Sequence, residues 1–76
     1  MYFDLQQVEV DVSSFPERHE TAMRWEWYLR EGTPDKPGSY LARSPVKLLD
    51  ESMARSDIAA FRKKAGGVKF AKVVSP

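Results

Sequence analysis

The sequence predicts an α+β domain in which one amphipathic helix packs on one face of an antiparallel sheet of about four strands. Only one segment has apolar residues at helical spacing, namely Ala54, Ile58, Phe61 and Ala65. Such a stripe has to be buried against another element. The segments before and after it alternate apolar and polar residues, as half-buried strands do. We therefore expect the order βββαβ, folded as a single domain over residues 1–76.

Residues 2–12 are predicted to form the first strand. Its three valines alternate with acidic residues and are expected to face the core: Val8, Val10 and Val12. Phe3 and Leu5 have the opposite parity, so a bulge or bend near residues 6–7 is needed to bring both sets to one face. The alternative is that the first few residues fray. In the connection that follows, Ser14 and Glu17 have the spacing of a capping box, which predicts at most one helical turn.

Residues 23–31 give the clearest strand pattern. One face carries Met23, Trp25, Trp27 and Leu29, and the other carries Arg24, Glu26, Tyr28 and Arg30. The two tryptophans are expected to pack in the core against Ile58 and Phe61. Residues 32–38 contain two prolines and two glycines, which is typical of a turn between strands. Residues 39–43 are predicted to form the third strand.

Two interpretations remain open for residues 44–49. Ser44 before Pro45 is a legitimate start for a long helix. We prefer an extended or turn segment, with the helix starting at about Glu51, capped by Asp50 and ending in a basic turn before Gly66 and Gly67. Residues 68–74 then form the last strand. The expected core is Val8, Val10, Trp25, Trp27, Leu29, Ala54, Ile58, Phe61, Val68 and Phe70.

Composition limits the chemistry available to this chain. It has no cysteine, which excludes disulfides, thiolate metal sites and cysteine nucleophiles. No apolar run is long enough to span a bilayer, and no signal peptide is expected, so we predict a soluble, cytoplasmic protein. The net charge of +1 implies no polyanionic partner by itself. The charge is nevertheless uneven, because residues 1–38 carry −4 and residues 39–76 carry +5.

The second half of the chain resembles a known family. The run GSYLARSPVKLLDESMARSDIAAFRKKAGG is similar to the small bacterial YegP-like domain of unknown function, with matching pieces at residues 25–29, 41–44, 58–65 and 68–73. The glycine that this family usually has before the isoleucine is absent, since Asp57 precedes Ile58. The valine strand at residues 1–12 has no counterpart. The resemblance implies a ββαβ-type sheet with one helix and a bacterial source, and it carries over no catalytic residue.

No residue pattern predicts catalysis. His19 is the only histidine, and although Glu17 and Glu20 flank it, a lone histidine in a polar loop is usually solvated. There is no phosphate-binding glycine loop and no metal-ligand spacing. We therefore expect a non-enzymatic protein that needs no cofactor and no metal.

Binding is the function class that the sequence favours. An exposed sheet face or edge strand invites a protein partner or a second copy, and a protein-interaction module is the leading hypothesis. The alternative is weak nucleic-acid binding by the basic helix end and the last strand, with Tyr28 as a stacking platform. Glu9, Asp11 and Glu26, expected on the outer sheet face, count against it. The candidate partner or nucleic-acid surface comprises Arg24, Tyr28, Arg30, Arg55, Arg62, Lys63, Lys64, Lys69 and Lys72.

Overall fold

The described residues fold as four strands and one helix in the predicted order. The structure is a computed structural model that describes residues 1–13, 19–68 and 71–76. The elements are β1 (Tyr2–Asp11), β2 (Thr21–Gly32), β3 (Pro37–Arg43), α1 (Glu51–Lys64) and β4 (Lys72–Val74). In the described residues, no helix is long and apolar enough to cross a membrane.

One four-stranded sheet, in the order β3-β2-β1-β4, confirms the predicted α+β class. The first three strands form an antiparallel meander, whereas β4 adds to β1 in parallel, so the sheet is mixed at that edge. The parallel pairing follows from the connection, because a helix that crosses one face of a sheet returns the chain in the same direction. The link from β3 through α1 to β4 thus passes over both central strands.

The long β1–β2 hairpin has an unbroken register, from Tyr2 opposite Arg30 to Asp11 opposite Thr21. The expected bulge near residues 6–7 is therefore absent from β1, and strict alternation holds along it. Phe3 and Leu5 face the helix and are buried. The prediction that Val8 and Val10 belong to the core is wrong, since both are half-buried on the opposite face.

Helix length explains which end of the hairpin is covered. The helix has 14 residues and so extends about 21 Å, whereas the 10 residues of β1 extend about 33 Å. The core lies where α1 meets one end of the sheet and comprises Phe3, Leu5, Trp27, Leu29, Ala54, Ile58, Val68 and Ala71. Beyond it the hairpin continues as a ribbon, on which Met23 is 46% exposed and Val12 is 42% exposed.

Trp27 joins the sheet to the helix. Its ring is 1% exposed, lies 5.6 Å from the Phe3 ring and lies 5.1 Å from the Phe61 ring. Its indole Nε1 donates a hydrogen bond of 2.7 Å to Oδ2 of Asp57 in the middle of α1. The predicted packing of Trp27 against Ile58 and Phe61 is confirmed, and Trp25 packs at the margin of the same cluster. Asp57 thus supplies the polar partner that a buried indole requires.

Both ends of α1 carry the signals that the sequence predicted. Asp50 is the N-cap, and its side chain accepts a hydrogen bond of 2.8 Å from the backbone N–H of Met53. At the other end Gly67 has a φ of +85°, a left-handed conformation that glycine adopts without strain. The C-cap itself is Ala65, in an extended conformation.

The two connections that flank β3 have the conformations expected from their residues. Gly32 has a φ of +80°, and a Cβ atom there would lie 2.3 Å from the carbonyl oxygen of Lys36, so only glycine fits this turn. After β3 the chain bends at residues 45–46 and 49–50, and between these bends Leu48 exchanges two backbone hydrogen bonds of 2.7 Å with Trp25. The preferred interpretation of residues 44–49 is thus confirmed, and a long helix from Pro45 is wrong.

The remaining boundaries differ modestly from the predictions. The third strand starts at Pro37 rather than residue 39, and the last strand is confined to Lys72–Val74. Val68 is buried ahead of that strand, as expected of a core residue. The predicted capping box at Ser14 and Glu17 and the core prediction for Phe70 lie outside the described residues.

We predict that Ile58→Ala lowers the free energy of unfolding by about 2–5 kcal/mol, because the side chain is removed from a closed core. Ile58 is 2% exposed. Val46→Ala is the control, since Val46 is 61% exposed, and it should change stability by less than about 0.5 kcal/mol. Urea denaturation followed by tryptophan fluorescence measures both. Equal effects of the two substitutions would contradict the assigned core.

We predict that Asp57→Ala destabilises the protein by about 1–3 kcal/mol, because Nε1 of Trp27 loses its acceptor. Asp57→Asn keeps an acceptor oxygen and should cost less. The same denaturation assay measures stability, and the NMR signal of the indole N–H reports the hydrogen bond directly. An indole signal that does not move in Asp57→Ala would refute this contact.

Candidate binding surface on the open face of the sheet

Among the described residues, no helix covers the face of the sheet opposite α1, and this face presents a row of polar and aromatic side chains. Alternation from the core residues places Asp4, Gln6, Val8 and Val10 of β1 on this open face. The register brings the β2 residues that lie opposite Val8, Gln6, Asp4 and Tyr2 to the same face, namely Arg24, Glu26, Tyr28 and Arg30. The predicted outward orientation of Arg24, Tyr28 and Arg30 is therefore confirmed by the pairing.

Two of the three acidic residues of β1, Glu9 and Asp11, do not share this face. Glu9 pairs with Met23 and Asp11 pairs with Thr21, which puts both on the helix side of the ribbon. Their expected position on the outer face is wrong, for the same reason that the parity predicted for Val8 and Val10 is wrong. Glu26 is on the open face as predicted.

Two tyrosines and one arginine form the centre of the open face. The ring centroids of Tyr28 and Tyr40 lie 5.1 Å apart at an interplanar angle of 57°. The guanidinium of Arg30 lies 4.3 Å from the centroid of the Tyr40 ring, within reach of a cation–π interaction. Arg30 also donates a hydrogen bond of 2.9 Å to the carbonyl oxygen of Gly38. These contacts hold the Tyr40 ring on the sheet, yet Tyr40 remains 60% exposed.

A groove runs beside β3 at the edge of this cluster. We call it the β3 groove. Its volume is about 480 Å³, and it is lined by Gln6, Tyr28, Tyr40, Leu41, Ala42 and Arg43. Four consecutive residues of one strand line it, whereas a regular strand sends alternate side chains to opposite faces.

A β-bulge accounts for this lining. Leu29 pairs with Ala42 while Arg30 pairs with Tyr40, so Leu41 is an extra residue in β3. A bulge leaves its extra residue unpaired and redirects the neighbouring side chains. Leu41 is 47% exposed as a result of this arrangement.

Hydrogen bonds within the chain satisfy the carboxylates of the open face. Glu26 accepts a hydrogen bond of 2.7 Å from the Tyr28 hydroxyl. Asp4 accepts one of 2.8 Å from the Gln6 side-chain amide. The hydrogen bond to Glu26, followed by burial and the negative charge of Glu26, raises the pKa of Tyr28 above its usual value of 10.0, while the positive charge of Arg43 opposes this rise.

The structure does not gather the predicted cations on one surface. Lys72 alternates with Val73, which packs on the core, so Lys72 belongs to the open face. Lys63 and Lys64 are exposed on α1, on the opposite side of the sheet. Arg55 pairs with Glu51 at 3.0 Å. Lys69 lies outside the described residues.

Arg62 has a structural role that differs from the expected surface position. Its Nη2 donates a hydrogen bond to the carbonyl oxygen of Ala71, and its guanidinium lies 5.2 Å from the centroid of the Phe3 ring. The side chain is half-buried. Arg62 therefore ties the end of α1 to the start of β4 and contributes little to a solvent-exposed cationic surface.

Two further features of the molecule fit a binding site less well. Within residues 1–13, 19–68 and 71–76, no group of three or more His, Asp and Glu side chains could hold a metal ion. His19 is exposed. A depression of about 530 Å³ on the outer side of α1 is lined by Glu51, Ser52, Arg55, Ser56 and Ala59, has no aromatic side chain, and has its charges paired. The β3 groove is thus the better candidate.

Of the residues that line the β3 groove, the predicted surface includes only Tyr28. Parity from the core side of β1 would have placed Gln6 with Tyr28. Nothing in the residue pattern marks the bulge at Leu41, which puts Tyr40 and Arg43 on the same face.

Comparison with models of protein families, with curated proteins and with solved structures gave no match for this chain. The resemblance to the YegP-like family therefore stays a prediction from the residue pattern. The open face has to be interpreted from its own geometry and charge.

We predict that Glu26→Gln lowers the pKa of Tyr28, because the substitution removes the charged acceptor that favours the neutral phenol. With the raised pKa, the stabilisation from this contact is complete below the unfolded value near pH 10 and is lost as pH rises through the folded pKa. NMR titration of the tyrosine ring carbons measures the pKa, and Tyr28→Phe assigns the signal. An unchanged pKa in Glu26→Gln would contradict the assigned contact.

Proposed function

We propose that this chain is a small non-enzymatic protein-interaction module that holds a segment of a partner protein in the β3 groove. The observation that carries the proposal is the exposure of Tyr40 and Leu41, at 60% and 47%, beside two arginines. Tyrosine and arginine are enriched where proteins bind one another, since they combine a large contact area with directional hydrogen bonds. A bacterial and cytoplasmic setting is part of the proposal and rests on the YegP-like resemblance.

Preorganisation supports the proposal. Tyr40 is held between the Tyr28 ring and the Arg30 guanidinium, so little side-chain entropy remains to be lost when a partner covers it. Lost side-chain freedom otherwise costs about 0.5–1.5 kcal/mol for each immobilised residue. The groove is therefore suited to a modest contact area.

Nucleic-acid binding is the alternative, and the same surface favours it less. Arg24, Arg30 and Lys72 bring positive charge to the open face, and Tyr40 offers an exposed ring. However, Asp4 and Glu26 lie among these cations. The cations of α1, including Lys63 and Lys64, lie on the opposite side of the sheet. A phosphate backbone needs a continuous cationic track, which this arrangement interrupts.

Selection of binders from a displayed random-peptide library tests the proposal. The wild-type protein is the target. The counter-target is the double variant Tyr40→Ser/Leu41→Ser, which removes the exposed apolar surface of the groove together with the contacts of the Tyr40 ring to Tyr28 and Arg30. We expect enriched peptides that bind the wild-type protein at least tenfold more tightly than the double variant, because about 1.4 kcal/mol of contact is lost.

Leu49→Ser is the matched control, since Leu49 is 63% exposed and lies outside the groove. Its affinity for the enriched peptides should equal that of the wild-type protein. Peptides that bind the double variant equally well, or no enrichment over an empty support, would refute the proposal. Mixed single-stranded DNA or RNA that binds through Tyr40 where peptides do not would establish the alternative.

A further inference from the structure

We infer that the β3 groove selects an acidic partner segment, in which one carboxylate pairs with Arg43 and a neighbouring apolar side chain rests on Tyr40 and Leu41. The inference rests on the proposed function and adds the chemistry of the partner.

Most charged groups around the groove already have partners. Glu26 accepts from Tyr28, and Asp4 accepts from Gln6. Arg30 donates to Gly38 and lies over the Tyr40 ring. These groups gain little from a ligand, because each new contact would replace an existing one.

Arg43 differs from its neighbours. It is exposed, it lines the groove, and it makes no hydrogen bond or ion pair with the part of the chain that the structure describes. Arg43 lies directly opposite Tyr28 in the β2–β3 pairing, so its side chain leaves the sheet on the open face. It also borders a small depression of about 160 Å³ that it shares with Asp57 and Lys64 of α1. A guanidinium presents parallel N–H donors that match a carboxylate, so a carboxylate is the group that Arg43 recognises best.

A second cation strengthens the same preference. A smaller depression of about 140 Å³ adjoins the groove through Arg43 and is lined by Glu26, Arg43, Ser44, Pro45, Val46 and Lys47. Lys47 is exposed, and the one carboxylate here, that of Glu26, already accepts from Tyr28. An anionic side chain placed beside Arg43 therefore meets two cations at this end of the groove.

The preference for an apolar side chain next to the carboxylate of the partner follows from the β-bulge. Because Leu41 is an extra residue in β3, it is exposed next to Tyr40 and beside Arg43. One short segment can thus contact an apolar surface and a cation at once. A polynucleotide fits less well, since its repeated phosphates would also pass Glu26 and Asp4, whereas a single carboxylate need not.

The test uses the sequences of the enriched peptides and a charge exchange. Wild-type protein should enrich Asp or Glu next to an apolar or aromatic residue, and Arg43→Glu should enrich Lys or Arg at that position instead. Calorimetry with one synthetic acidic peptide should then show that Arg43→Gln lowers the affinity by about tenfold or more and that Arg43→Lys lowers it less. Replacing the acidic residue of the peptide by its amide should weaken binding to the wild-type protein by the same factor. The amide peptide should bind Arg43→Gln no more weakly than the acidic peptide does.

Lys63→Gln is the control, since this exposed cation lies on α1 across the sheet, and it should bind the peptide like wild type. Enriched peptides that depend on Tyr40 and Leu41 but carry no acidic residue, or that bind Arg43→Gln unchanged, would overturn this inference while the proposed function stands. Peptides that depend on neither set would overturn both. Oligonucleotide binding that requires Arg43 would also overturn the inference.

Discussion

The contact between Trp27 and α1 is the constraint on which the rest of the structure depends. One face of this side chain packs with Phe3 and Phe61, and its single polar atom bonds to Asp57. The bond fixes the helix along its own axis as well as across the sheet, because Asp57 has one position in the helical turn. Apolar packing alone allows a helix to slide, since dispersion and burial have little directional preference.

Fixing α1 at one end of the sheet determines what stays uncovered. The helix is shorter than the β1–β2 hairpin, so the far ribbon projects beyond the core. In the part of the chain that the structure describes, the opposite face of the sheet carries no helix and has to be compatible with water. Three of its charged side chains, those of Glu26, Asp4 and Arg30, form hydrogen bonds within the chain. The β3 groove differs from the rest of this face because Tyr40 and Leu41 are exposed and the Arg43 side chain has no hydrogen-bond partner in the described residues.

Local signals made the helix predictable, and the absence of local signals explains the errors. The cap at Asp50, the stripe through Ile58 and the glycines after the basic turn all belong to one stretch of sequence, and the structure agrees with them. The parity of β1 depends instead on which end of the strand the helix covers. Phe3 and Leu5 lie on one face of β1, and Val8 and Val10 lie on the other. Because both pairs are apolar, the pattern of β1 alone does not show which pair faces the helix.

The candidate surface also contains residues whose positions a local pattern predicts and residues whose positions depend on the tertiary structure. Alternation along β2 correctly placed Tyr28 and Arg30 on the outer face. Arg62 was expected to be a solvated cation, but the return of the chain to β4 brings the Ala71 carbonyl within its reach. Tyr40 and Arg43 have opposite parity along β3 and share the groove because of the bulge at Leu41. A bulge of this kind depends on cross-strand pairing, which no short motif in the chain indicates.

The measurement that tests the account most directly is a map of backbone amide shifts during titration with a selected peptide, at low and moderate salt. The account predicts that the shifts cluster at residues 40–43 and at Tyr28, that they persist with reduced amplitude at the higher salt, and that α1 is unaffected. Shifts centred on Lys63 and Lys64, or spread along the far ribbon, would contradict the claim that the β3 groove is the functional surface of this fold.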